Sequence, residues 1–168
     1  MNDTGYIRKI DELGRIVIPK EVRKKLRIND GENLIISANE KNINLSKYSY
    51  IENNHKFIES IGDKTSFLTG FNITIVDNER IIYSNSDFNK TSISQTIKNH
   101  ITNRNSTILT NLDINETEKI SGHIHIEPII ANSLSMGLVV VYAKSDSNFL
   151  GTISKLLASI ISIHIDES

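Results

Sequence analysis

The sequence predicts a mixed fold in two parts: a small β-β-α-β-β module at the N-terminus that is unstable as a single copy, followed by an α/β domain with its own core. Strand and helix signals alternate along all 168 residues, and the charge changes sign near Tyr50. The first fifty residues also carry many branched apolar side chains for so short a segment, with no cysteine in the chain to staple them.

Gly5–Ile10 reads as a short strand and Asp11-Glu12-Leu13-Gly14 as a turn in which glycine can take a positive φ at little cost. Arg15–Ile18 reads as a second strand. Pro19 suits the first turn of a helix, and Lys20–Leu26 then places Val22 and Leu26 on one face with Arg23, Lys24 and Lys25 outside it. Asn29-Asp30-Gly31 ends that helix. Asn33–Ser37 and Asn42–Ser46 follow as apolar-rich strands joined by Ala38-Asn39-Glu40-Lys41. A unit below about 60 residues, without disulfides or metal, buries too little apolar surface to be comfortably stable alone. Burying Ile7, Ile10, Ile16, Val17, Leu26, Ile36 and their neighbours between two copies meets that shortage.

The formal net charge of −1 hides an asymmetry: residues 1–50 carry ten Lys/Arg against seven Asp/Glu, and residues 51–168 carry nine against thirteen. Between Arg8 and Arg27 eight basic residues face only Asp11, Glu12 and Glu21. Pairing two copies doubles that local excess. Arginine suits such a surface, because its planar guanidinium can pair with a phosphate or a guanine edge in bidentate fashion and stays charged at cellular pH. Arg8 and Arg15 flank the first turn and Arg23 and Lys24 sit on the short helix, so Arg8, Lys9, Arg15, Arg23 and Lys24 are the candidate DNA-binding residues. A generic basic helix is more often a solvated surface than a binding face.

The run from Gly5 to Ile28, Gly-Tyr-Ile-Arg-Lys-Ile-Asp-Glu-Leu-Gly-Arg-Ile-Val-Ile-Pro-Lys-Glu-Val-Arg-Lys-Lys-Leu-Arg-Ile, resembles the N-terminal domain of the AbrB-type transition-state regulators. The resemblance implies a swapped-hairpin β-barrel in which two chains interleave, with basic side chains facing double-stranded DNA. Its position-by-position agreement is what turns the basic cluster from a solvated surface into a DNA-binding one. With an α/β domain following, the resemblance implies a regulator of late sporulation genes in the forespore, binding DNA as an interleaved homodimer or, as a dimer of dimers, a homotetramer. It implies a GAF-like fold for the C-terminal domain. Domains are therefore expected at 1–50 (DNA binding), 51–70 (helical connector) and 71–168 (GAF-like sensing and oligomerisation).

In the connector, Ile51, Ile58, Ile61 and Leu68 form a partial seam that can pack either on a second copy or on its own C-terminal domain. Beyond it the chain reads as a hairpin, Phe71–Asp77 with Arg80–Ser84, then a helix over Thr91–Thr102. Strands follow at Ser106–Thr110, Ser121–Ile130 and Met136–Ala143, the last two joined by a turn over residues 131–135, and a helix over Phe149–Ile165 closes the chain. Ile73, Ile75, Ile124, Ile126, Val139 and Val141 alternate as core residues should. Such a domain can either sense an unidentified small-molecule effector in a pocket beside its sheet or serve only to oligomerise.

Other chemistries find little support. There is no Gly-rich phosphate loop, no H-E-x-x-H and no G-x-S-x-G, so no catalytic residues are assigned, and no cofactor is expected. His123 and His125 share one face of a strand, but without a third ligand they are better read as an ordinary pair on an edge or surface strand than as a metal site. No apolar run approaches the roughly 18 residues that a membrane span needs, and the polar N-terminus lacks an apolar signal core, so a cytoplasmic, nucleoid-associated protein without a membrane partner is expected. The rival reading is an antitoxin, since toxin–antitoxin pairs use the same swapped hairpin. Antitoxin tails are short and disordered until bound, whereas residues 71–165 carry strand and helix periodicity.

Overall fold

A computed structural model describes residues 5–26, 28, 30–88 and 92–167. The chain divides into two compact units, residues 1–48 and 49–168.

In the first unit, Asp11 N donates to Arg15 O (3.1 Å) and Gly14 N to Asp11 O (2.9 Å), closing the expected turn with Gly14 at φ +74°. Helix α1 spans Lys20–Lys25 and follows Pro19, whose carbonyl accepts from Arg23 N. Strands β1 (Leu34–Ala38) and β2 (Ile43–Lys47) form an antiparallel hairpin, with Leu34 opposite Lys47 and Ala38 opposite Ile43. The strands expected at Gly5–Ile10 and Arg15–Ile18 are not formed in the single chain. An extended segment becomes a strand only when a neighbouring backbone completes its ladder, and here the turn-closing bond from Asp11 to Arg15 is followed by no further rungs among the described residues. The expected turn over Asn29-Asp30-Gly31 lies partly outside the described residues, as does Arg27.

The second unit is built on a five-stranded antiparallel sheet in the order β4-β3-β7-β6-β5. Its strands are β3 (Asn72–Asp77), β4 (Ile81–Ser84), β5 (Thr107–Asp113), β6 (Lys119–Ala131) and β7 (Leu134–Ala143). Ser49 caps α2 (Tyr50–Asn53) by accepting from Glu52 N at 3.1 Å, and α3 (His55–Thr69) ends at Gly70 with φ +71°, a left-handed cap that glycine adopts without Cβ strain. Ser94 caps α4 (Gln95–Asn103), and α5 (Leu150–Asp166) closes the fold.

Helices cover both faces of the sheet, α3 and α5 on one and α4 on the other. Ile73, Ile75, Val139 and Val141 face α3 and α5, in one cluster with Ile51, Ile58, Leu157 and Ile161. Ile124 and Ile126 lie instead on the opposite face, with Val76, Leu138 and Val140 against Ile97 and Ile101 of α4. The register explains the difference from a single alternating core: Ile124 pairs with Tyr142 and Ile126 with Val140, so they share those residues' side of the sheet. Of the connector seam, Ile51 and Ile58 are fully buried in this unit's own core and Ile61 packs against it, while Leu68 stays exposed.

The β6–β7 turn is tighter than expected. Ala131 pairs with Leu134, leaving only Asn132 (φ +50°) and Ser133 (φ +61°) as a two-residue turn of the primed type that matches strand twist. His123 and His125 do lie on one face of β6, but that strand is paired on both sides, by β5 and β7, and is not an edge.

Candidate nucleic-acid interface

The candidate basic residues fall on two supports of the first unit. Arg8, Lys9 and Arg15 flank the turn closed by Asp11 and Gly14, and all three are exposed; Arg23 and Lys24 occupy α1, with Lys24 exposed and Arg23 half-buried. No residue of α1 is fully buried: Lys20, Lys24 and Lys25 are exposed and Arg23 is half-buried.

The three arginines differ in what already holds them. Arg8 Nη1 donates to the carbonyl of Ile7 at 3.0 Å, and its guanidinium lies 5.9 Å from the centre of the Tyr6 ring, a cation–π distance. Arg15 donates through Nε to Asp11 Oδ2 at 2.7 Å. Arg23 donates through Nη1 to Asp30 Oδ1 at 2.8 Å. Both carboxylates escape a reading based on net charge, because a count records Asp11 and Asp30 only as lost positive charge. The spacing of Asp11 and Arg15, four apart across a glycine turn, is the signal that could have revealed the first pair.

Asp11 is anchored through both of its carboxylate oxygens. Its Oδ1 accepts from Leu13 N (3.0 Å) and Arg15 N (2.8 Å) while Oδ2 takes the guanidinium. The Arg15 backbone N–H, and after it the Arg15 side chain, hold this carboxyl below its ordinary value of 3.8.

Apolar exposure accompanies the basic surface. Among the described residues up to Tyr48 no hydrophobic side chain is buried; Ile7 is 93%, Val17 74% and Ile36 72% exposed. A solvated monomer rarely leaves so many large apolar side chains of so short a segment open.

In the second unit a cleft of about 390 Å³ lies between β6 and α5, lined by Glu127, Ile130, Ser159, Ser162 and Ile163 among others. His123 Nδ1 lies 3.6 Å from Asp146 Oδ1, and a Cβ on Gly151 would come within 2.9 Å of the His125 ring. Among the described residues no three or more His, Asp or Glu side chains are grouped to hold a metal. Among them, too, no helix is long and apolar enough to cross a membrane.

Comparison with known proteins bears on both units. The family model of the antidote-toxin recognition domain MazE, a bacterial antitoxin, matches residues 7–53. The transition state regulatory protein AbrB of Bacillus subtilis is 48% identical over 48 residues, 29% of this chain and 50% of that protein. Among solved structures, residues 122 to 287 of a methyl-accepting chemotaxis protein share the fold of the second unit, with a TM-score of 0.51 at 16% identity over 68% of this chain and 90% of the other. Stage V sporulation protein T of Bacillus subtilis is 31% identical over 156 residues, which is 88% of both chains. With a relative of that identity spanning both the basic hairpin unit and the sheet domain, the chain belongs to the stage V sporulation protein T family.

Proposed function

We propose that this protein is a sporulation transcription regulator that binds double-stranded DNA through an interleaved dimer of its first 50 residues. The observation that carries the reading is the combination in one unit of a basic turn and helix with an apolar surface that the single chain leaves uncovered. Full burial of a large aliphatic side chain stabilises by about 1.5–3 kcal/mol, so pairing two copies supplies the core that one lacks. The same pairing offers the extended segments around Asp11–Arg15 a second backbone, and it doubles the cationic surface. Arg8, Lys9, Arg15, Arg23 and Lys24 then meet DNA, mainly at phosphates.

The test is binding of a fluorescent duplex by the full chain across a salt series. Arg15→Gln and Arg23→Gln are each expected to weaken binding and to lower the slope of log affinity against log salt by about two, since a dimer loses two phosphate contacts worth roughly 0.9 each. Unchanged affinity and slope in both variants would refute the assignment.

In this reading the C-terminal domain joins dimers into tetramers. Phe149, Leu156 and Ile163 support it: from the N-cap of α5 they recur every seven residues into the helix and are all exposed, the spacing of a helix-pairing seam. A small molecule seated in the β6–α5 cleft, which Ile163 lines, would act on that same contact. Leu156→Glu should leave dimers that bind DNA with reduced avidity, as light scattering would show. The antitoxin reading fits less well, because the residues after the matched 7–53 segment build a folded sheet domain and not a short tail. Co-purification of the chain with a small toxin would favour it instead.

A further inference from the structure

Two aspartates pair with two of the proposed DNA-binding arginines, but they hold different ends of the guanidinium. Asp30 takes Nη1 of Arg23, the end that would meet a phosphate. Asp11 takes Nε of Arg15, and among the described residues no hydrogen bond engages its two Nη groups. The Arg15 side chain is 73% exposed, an environment in which arginine ordinarily samples many rotamers, and a lone surface ion pair would restrain it little. Here the acceptor is itself immobilised. Asp11 Oδ1 is held by the backbone N–H groups of Leu13 and Arg15, and the Asp11 backbone closes the turn on both sides, donating to Arg15 O and accepting from Gly14 N. One oxygen therefore builds the turn and the other orients the arginine that emerges from it.

We propose that Asp11 is a positioning residue for DNA recognition: it presets the Arg15 guanidinium so that its Nη edge is presented to a phosphate or a guanine edge before DNA arrives. The inference rests on the reading that Arg15 contacts DNA. Ordering one rotamer-rich side chain in advance is worth about a two- to tenfold gain in affinity. The ordinary expectation for a carboxylate facing DNA has the opposite sign, since removing a negative charge beside phosphates should tighten binding.

Asp11→Asn separates the two oxygens' duties. Asparagine Oδ1 can still accept from Leu13 and Arg15 N, but its Nδ2 is a donor and cannot accept from Arg15 Nε. The experiment measures duplex affinity of the full chain for wild type, Asp11→Asn, Arg15→Gln and the double variant, with thermal melts of each. The expected result is a loss of about two- to tenfold for Asp11→Asn in the wild-type background and none in the Arg15→Gln background, with unchanged melting. Unchanged or tighter binding by Asp11→Asn, or an equal loss in both backgrounds, overturns the proposal while a weakened Arg15→Gln leaves the DNA-contact reading standing. Should Arg15→Gln itself bind like wild type, that reading falls and the positioning role with it. If Asp11→Asn melts early, the Arg15 Nε–H proton of the DNA-free wild-type chain decides: an NMR resonance protected from solvent exchange supports the preset guanidinium, and one that exchanges as fast as that of an unpaired surface arginine refutes it.

Discussion

Arg23 Nη1 donates to Asp30 Oδ1 across 2.8 Å, while Nε of the same guanidinium is buried without a partner among the described residues. Asp30 is almost wholly exposed, so the pair is a surface contact that a competing anion can replace. Binding DNA through Arg23 must break it. Asp30→Asn is therefore expected to raise duplex affinity at low salt by at most about fivefold, the equivalent of a surface pair worth up to roughly 1 kcal/mol. The gain should vanish in the Arg23→Gln background; anisotropy titrations of the four proteins test this, and a gain that survives loss of Arg23 would contradict it.

A substitution at an exposed position separates the dimeric reading from a monomeric one. Ile36 on β1 is 72% exposed in the single chain, where Ile36→Glu would change stability by no more than about 0.5 kcal/mol. If the face is buried against a second copy, placing a charge there costs several times more and dissociates the assembly. The expected outcome is a smaller sedimenting species that has lost DNA binding. An Ile36→Glu protein with wild-type mass and melting temperature would exclude burial of this face.

Gly62 and Gly137 make different demands on their neighbours. A Cβ on Gly62 of α3 would lie 2.3 Å from Cε1 of Tyr83, a buried ring whose hydroxyl donates to Asp63 Oδ1 at 2.9 Å. A Cβ on Gly137 of β7 would lie 1.9 Å from the Val76 carbonyl oxygen, which belongs to the sheet backbone. The ring can shift and the ladder cannot. Gly62→Ala should cost about 1–3 kcal/mol and Gly137→Ala more than that, measured by urea unfolding. Equal costs would show that the sheet yields as readily as the ring.

Burial lowers the His100 imidazole below its ordinary 6.5. The unfolded chain takes up a proton as pH falls through 6.5, while the folded state resists until the lowered value is reached. Across that window the unfolded state binds more protons, so stability falls with falling pH. His100→Gln removes this dependence. The melting temperature of wild type should drop relative to His100→Gln between pH 7.5 and 5.5, and a constant offset between the two would show that burial of His100 is not linked to folding.

Local signals were legible where they depend on one segment. The Asp11–Gly14 turn, the β1–β2 hairpin, the connector helix and α5 all follow from glycine, proline and periodicity read within a few residues of where they act. The placement of His123 and His125 on one face of β6 was legible for the same reason. That β6 is an inner strand was not, because the strand that covers its other side, β5, is set by sheet order and not by β6 itself. Nor could alternation alone assign Ile124 and Ile126 to the α4 face: both faces are apolar, and only the register with Val140 and Tyr142 distinguishes them.

The candidate site divides in the same way. The identity of the basic residues and the turn that carries them were present in the sequence. Which end of each guanidinium is engaged depends on where Asp11 and Asp30 come to lie.

The sequence by itself determined that the first fifty residues form a basic, turn-centred unit short of a core, because charge, turn chemistry and chain length are local quantities. Tertiary structure decided that the connector's Ile51 and Ile58 are buried in the second unit and that Arg15 is held while Arg23 is masked. Those outcomes depend on distances between groups, and distance is settled only when the backbone closes its turns and pairs its strands.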